Sequence, residues 1–221
     1  MEKKIINALT RCPLFNNISE QHLIDIVEGA NYKLVKFDKK DIYILAGMPY
    51  RHVDLIVEGE MVARMVSLSG KSVEVSRLVG GDLVAPAFIF AKDNLMPVSV
   101  ETEKETTVLR ISKPDFVELI DISPVLRRNF ITILSNIDVF LTKKMRVLSL
   151  FTVREKVGYF LKEAAGKQGS NVVQLNKSRQ EIAESFGIQK FSLLRTMSEL
   201  QEAGAIRVEG KRITILDRNK L

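Results

Sequence analysis

The chain has a single cysteine, Cys12, and two histidines, His22 and His52, among its 221 residues. One cysteine excludes an internal disulfide and any four-cysteine metal or iron–sulfur site supplied by one chain. With no histidine pair, metal-ligand cluster or phosphate-cradling glycine loop, little remains from which to build an enzyme; Gly80-Gly81 reads as a turn. No apolar run approaches the roughly 18 residues of a membrane span. The charged residues 1–4 lack a following signal-like apolar block. These absences predict a cytoplasmic protein with no membrane partner. Hydrophobic residues at 46% and charged residues at 27% are ordinary for a globular chain. The length fits one large domain or two small ones, each able to bury its own core.

The net charge of +6 is unevenly spread. Residues 1–123 hold 15 Lys and Arg against 18 Asp and Glu, a net of −3. Residues 124–150 hold 5 against 1, a net of +4, and residues 151–221 hold 13 against 8, a net of +5. Basicity confined to the second half is the footprint expected if only that half meets a polyanion, a merely solvated surface being the alternative.

The first stretch reads as helical, with Leu14-Phe15 ahead of an N-cap at Ser19 and Leu23, Ile24, Ile26 and Val27 before a stop at Gly29. Short β-type runs follow at residues 33–37, 42–45, 53–57, 61–66, 73–78, 97–100 and 106–111. Turn signals separate them at 38–41, Gly47-Met48-Pro49, Glu58-Gly59-Glu60, Ser69-Gly70-Lys71 and Gly80-Gly81-Asp82. Many short strands at this spacing predict an all-β barrel, roll or sandwich. Ser112-Lys113-Pro114-Asp115 then has the form of a capping box opening a short helix to Ile120. Ser123-Pro124 heads a much longer helix to about Ser149.

In that helix Leu126, Phe130, Ile133, Ile137, Phe140, Lys144 and Val147 alternate by four and three, the spacing of a coiled coil. Leu134, Leu141, Met145 and Leu148 lie beside them. So wide an apolar face predicts packing on two sides, one against the β region and one against a partner helix. A homodimer with Phe130, Ile133, Ile137 and Phe140 at its interface is favoured over a buried helix of a monomer.

Thr152-Val153-Arg154-Glu155 is another capping box, opening a helix to about Ala165. Residues 166–170 read as a loop and 172–175 as a possible strand. Ser178-Arg179-Gln180-Glu181 then caps a helix to Phe186, Gly187 breaks it, and a second helix runs from about Lys190 to Ala203. Ala183 permits close crossing and Leu193 fills it, as a helix-turn-helix requires. Residues 205–208 and 212–216 flank Glu209-Gly210-Lys211 as a hairpin, giving a two-stranded wing.

The second helix of such a motif enters the major groove by its N-terminal residues. Gln189, Lys190 and Ser192 stand there. Arg195, one turn on, suits bidentate contact with guanine O6 and N7. Lys177, Arg179, Gln180, Lys211 and Arg212 are placed for phosphates. Phe191 has two readings, contact with a thymine methyl or packing into the protein, and packing is slightly favoured.

On these residues the sequence resembles the CRP/FNR family of bacterial transcription regulators over nearly its whole length. The matching features are Leu14-Phe15 with Ile18-Ser19, Gly47 with Val57-Glu58-Gly59 and Val62, Gly81-Asp82, Ser178 through Gly187, and Leu193 through Arg195. The resemblance implies an α+β fold. It has an N-terminal double-stranded β-helix, a jelly-roll-like β-roll sensing an effector, over 1–122. A long dimerisation helix spans 123–149, and a winged helix-turn-helix binding a two-fold-symmetric duplex spans 150–221. It also implies RNA polymerase as a partner.

The cyclic-nucleotide-binding members carry a Gly-Glu pair after the Gly-Asp turn and an Arg-Ser or Arg-Thr pair further on. Here Ala85-Pro86 and Met96-Pro97 stand in those regions, so the effector is read as something other than a cyclic nucleotide. The apolar cassette Pro86, Ala87, Phe88, Ile89, Phe90, Met96 and Pro97 suits a hydrophobic ligand, a haem with His22, His52, Cys12 or a Met as axial ligand, or no ligand at all. Phe191 also replaces a family glutamate. A sensor or adaptor that uses its winged helix for protein contacts is the rival reading.

Overall fold

Alternation along the strands sets the first half of the fold. In β3 (His52–Glu58), Val53, Leu55 and Val57 point to one side while Asp54 and Ile56 point to the other, and all five are buried. A strand covered on both faces needs a layer on each. Helix α1 (Lys3–Arg11) supplies one, lying against β3 with Ile5, Ala8 and Leu9 in the core. A second sheet supplies the other. The computed structural model that shows this describes residues 1–66 and 72–221 in two units, Met1–Asp138 and Val139–Leu221.

In the first unit, β1 (Tyr32–Phe37) and β3 flank β7 (Thr106–Ser112) in an antiparallel sheet of order β1-β7-β3. The second sheet is antiparallel too, in the order β2-β6-β4-β5, from β2 (Ile42–Ile44), β4 (Glu60–Val66), β5 (Ser72–Val79) and β6 (Ser99–Thr102). Six of the seven runs anticipated from sequence overlap these strands closely, and β6 starts two residues later than expected. The turn expected at Ser69-Gly70-Lys71 lies outside the described residues. Gly59, between β3 and β4, has φ +103°, and a Cβ there would stand 2.4 Å from Thr106 Oγ1. Only glycine can make this reversal.

Ser19 caps α2 (Glu20–Glu28) by accepting from the His22 amide at 3.4 Å. Ser112 likewise caps α3 (Lys113–Ile122) through the Asp115 amide at 3.3 Å, and α3 runs two residues past its expected end. The long helix α4 (Pro124–Leu150) starts at the anticipated proline, with Ser123 Oγ accepting from the Leu126 amide. Leu126 and Phe130 enter the first unit's core. The Asn129 side chain donates to the Leu14 and Asn16 carbonyls, each at 2.8 Å. The boundary between the units falls inside α4.

After the end of α4, the second unit continues with α5 (Val153–Gln168), whose capping box pairs Thr152 with Glu155 in both directions. This helix passes through Gly166 and stops at Gly169, so part of the expected loop is helical. Next come β8 (Val172–Gln174), α6 (Arg179–Ser185), α7 (Lys190–Glu202), β9 (Ile206–Glu209) and β10 (Arg212–Ile215). The wing has three strands rather than two, in the order β8-β10-β9. Val157, Leu161, Val173, Ile182, Leu193, Leu200, Ile206 and Ile213 form the core of the second unit.

Candidate functional site

The local chemistry of α6 fixes the turn. Ser178 Oγ accepts from the Glu181 amide at 3.2 Å, and the Glu181 carboxylate accepts from the Ser178 amide at 2.7 Å. These bonds satisfy two otherwise orphaned amides, and the Ser178 hydroxyl and then its amide hold the Glu181 carboxyl below the ordinary carboxylate range. Gly187 follows with φ +63°, a left-handed step that lets α7 leave across α6. Ala183 and Leu193 are buried at the crossing, as the sequence led one to expect.

Away from that core, the start of α7 is open. Gln189 is its N-cap residue without a side-chain capping bond. Gln189, Lys190, Phe191, Leu194 and Arg195 are exposed, and Ser192 is half-buried. Arg195 Nε lies 3.5 Å from Glu199 one turn on. The preference for packing at Phe191 is corrected: its ring is 70% exposed. The buried stripe of α7 is Leu193, Thr196, Met197 and Leu200, and position 191 lies off it.

Arg179 does more than await a phosphate. It is half-buried, and its Nη2 donates to the Gly210 carbonyl at the wing tip at 2.8 Å, joining α6 to the wing. Burial lowers its pKa, though a guanidinium keeps its charge. Gln180 Nε2 donates to Glu184 at 2.7 Å. Lys211 and Arg212 are exposed at the hairpin and line a shallow concavity of about 230 Å³ with Gln174 and Glu209. The structure thus gathers Gln189, Lys190, Ser192 and Arg195 on the first turns of one helix, and Arg179, Lys211 and Arg212 around the wing.

The residues expected to form an effector pocket do not share one wall. Pro86, Ala87 and Phe88 make a short 3-10 turn after Ala85, whose φ is +45°. Met96 is sealed in the core, Pro86 and Phe88 are half-buried, and Ala87 and Pro97 face solvent. A described cleft of this unit, about 430 Å³, is lined by Lys36, Phe37, Glu58 and Thr107 among others, and by none of these five.

Sequence reading missed a buried polar network beside the cassette. Arg110 clasps Asp54 through Nε at 2.9 Å and Nη2 at 2.6 Å. Tyr43 donates to the same carboxylate at 2.6 Å. Tyr50 donates to the Val84 carbonyl at 2.8 Å, and its backbone pairs with Asn94. Both ends of the cassette are therefore tied to one tyrosine. Burial pushes the Tyr43 and Tyr50 hydroxyls up, out of the physiological range. The hydrogen bonds that Arg110 donates to Asp54 raise its pKa further, while burial and then Arg110 lower that of His52. Asp54 and Arg110 lie directly opposite in the β3–β7 register, a pairing that no local motif announces.

The dimer-interface expectation is corrected at Phe130. It is 3% exposed, with its ring centroid 5.2 Å from Phe116 and 5.6 Å from Phe90 of the cassette. The first half of α4 spends that face on its own unit. Ile133 packs at the edge of the same core, Ile137 is half-buried, and Phe140 alone of the four is exposed, at 58%. Val139, Leu141 and Met145 are exposed beside it.

The side chains considered as haem ligands stand apart. Cys12 is buried, and burial pushes its thiol up to about 12. His22 sits on α2 and His52 begins β3, both exposed, and neither lines a described cleft. Among the described residues no group of three or more His, Cys, Asp or Glu could hold a metal ion. None of Cys12, His22 and His52 lines a described cleft that could seat a haem. No described helix is long and apolar enough to cross a membrane.

Residues 155–221 match the model of the Crp-like helix-turn-helix domain, and residues 34–123 match that of the cyclic nucleotide-binding domain. The chain is 29% identical over 128 residues to the transcriptional activator protein FnrA of Stutzerimonas stutzeri, covering 56% of this chain and 52% of that one. It is 30% identical over 126 residues to the transcriptional activator protein anr of Pseudomonas aeruginosa, covering 55% and 52%. The chain's matches thus span about half the length of these curated relatives. In fold it is similar to a CooA mutant from Carboxydothermus hydrogenoformans, with a TM-score of 0.68, 18% identity and coverage of 95% of this chain and 93% of that one.

Proposed function

We propose that this chain, which belongs to the CRP/FNR family by its cyclic nucleotide-binding and Crp-like helix-turn-helix domains, is a DNA-binding transcription regulator acting as a homodimer on a two-fold-symmetric site. The observation that carries this is the open first turn of α7, held by a capped and tightly crossed α6 and flanked by the wing cations. Arg195 reads guanine through its O6 and N7, and Gln189, Lys190 and Ser192 reach neighbouring base edges. Gln180, Lys211 and Arg212 meet phosphates, while Arg179 sets the wing against α6. The exposed apolar residues 139–141 and Met145 support a partner helix from a second copy.

The effector is something other than a cyclic nucleotide. Ala85-Pro86 offers no carboxylate for ribose hydroxyls, Met96-Pro97 no cation for a phosphate, and Arg110 is already committed to Asp54. RNA polymerase is the partner through which a cytoplasmic regulator of this kind acts, and the two curated relatives are both named transcriptional activators.

A gel-shift titration against the gene's own upstream region and against random duplex, at several salt concentrations, tests the reading. Specific binding should exceed random binding by at least about a thousandfold. Log affinity should fall linearly with log salt. Equal affinity for every duplex would instead favour an adaptor whose winged helix meets protein.

A further inference from the structure

We infer that Phe191 reads the 5-methyl group of a thymine in each half-site. The inference rests on the DNA-binding reading and names part of its specificity. Phe191 is the second residue of α7, one turn before Arg195 on the same exposed face, with Leu194 between them also exposed. Its own unit leaves the side chain 70% exposed. A free phenylalanine in water forgoes the gain of burying its side chain, which a solvated helix face would avoid by carrying a polar residue there.

The occupant is set by the surroundings. Lys190 precedes Phe191 on the first turn of α7 and Arg195 follows one turn on, both exposed, so the apolar spot lies between cations along the helix. An apolar protein partner would bury these charges without compensation, whereas a duplex neutralises them. In the major groove the apolar feature a base pair offers is the thymine methyl, so a phenylalanine there selects A·T pairs by contact rather than by hydrogen bonding. Arg195 and Phe191 together would then read a guanine and a thymine within one half-site.

Replacing thymine by uracil removes this methyl and nothing else. The full chain is first used to select duplexes from a random pool. Each thymine of the selected site is then changed to uracil, one symmetric pair at a time, and wild type and Phe191→Ala are titrated against the set. For wild type, one symmetric pair should lose about fourfold per half-site, the worth of one methyl group withdrawn from contact. Phe191→Ala should bind the thymine duplex more weakly and be indifferent to that uracil. Because the ring is exposed, the variant should melt as wild type does, which a thermal scan checks. The inference is overturned if no uracil position weakens wild type, or if the same position weakens Phe191→Ala equally. It is also overturned if Phe191→Ala keeps full DNA affinity but loses activation with polymerase, the result of a protein contact. A pool that yields no selected sequence overturns the DNA-binding reading itself, a different failure.

Discussion

Arg64, Arg77 and Arg110 in the first unit each hold at least one carboxylate, whereas Lys177, Lys190, Lys211 and Arg212 in the second hold none among the described residues. The contrast extends across the exposed face of the four-stranded sheet. Arg64 and Lys40 share Glu103 at 2.7 and 3.0 Å, Arg77 meets Glu74 at 2.9 Å, and Lys104 meets Glu60 at 2.7 Å. Exposed pairs of this kind contribute about 0–1 kcal/mol each. Their larger effect is on the field outside, because paired cations attract no polyanion. In the second unit Lys190, Lys211 and Arg212 stand exposed without an ion pair among the described residues, while Arg195 shares Glu199 at 3.5 Å.

The sharpest way to break this comparison is Asp54→Ala. It strands the Arg110 guanidinium and the Tyr43 hydroxyl inside the first unit and should destabilise it by about 3 kcal/mol. Urea unfolding measures this, and an unmoved midpoint would show the network to be inessential. Second in size, Arg195→Ala should cost about 2 kcal/mol at one base position per half-site while sparing other positions. Lys211→Ala should weaken all sequences alike and flatten the salt dependence by about one unit per protomer. Competition among single-base variants separates the two, and identical profiles would undo their assignment to base and backbone.

The smallest expected effect concerns Glu103, which Arg64 and then Lys40 hold down to about 2 against an ordinary 4.5. A carboxyl depressed in the folded state stabilises fully above its unfolded pKa and loses that contribution as pH falls through the folded one. The first unit should therefore weaken between pH 4.5 and about 2, less so in high salt, and Glu103→Gln should remove that part of the pH dependence.

What was legible in the sequence was what local chemistry decides. The capping boxes at Thr152 and Ser178, the proline at the head of α4 and the Gly187 turn need only residues a few positions apart, and all appear as expected. What was illegible depends on register or on competition between faces. β8 could be read only as a possible strand, because its three residues depend on pairing with β10, about 40 positions away in the chain. Asp54 meets Arg110 because β3 and β7 align them. Phe130 fits a partner-helix pattern as well as a core pattern, and periodicity cannot say which neighbour arrives first. At Phe191 the sequence offers an aromatic residue among polar ones, and only the placement of the α7 stripe shows that the ring is free.

The bend at Ala85 has a consequence for how the chain tolerates change. A left-handed backbone at a non-glycine residue costs roughly 1 kcal/mol, and no side-chain bond from Ala85 offsets it. By family resemblance glycine would occupy this place. The cassette therefore keeps a glycine's backbone beneath an alanine's methyl. A reversion to glycine would be downhill for folding and would leave every base-reading side chain untouched. Position 85 is in that sense a reserve: one substitution there could absorb a destabilising change elsewhere in the first unit as the protein drifts.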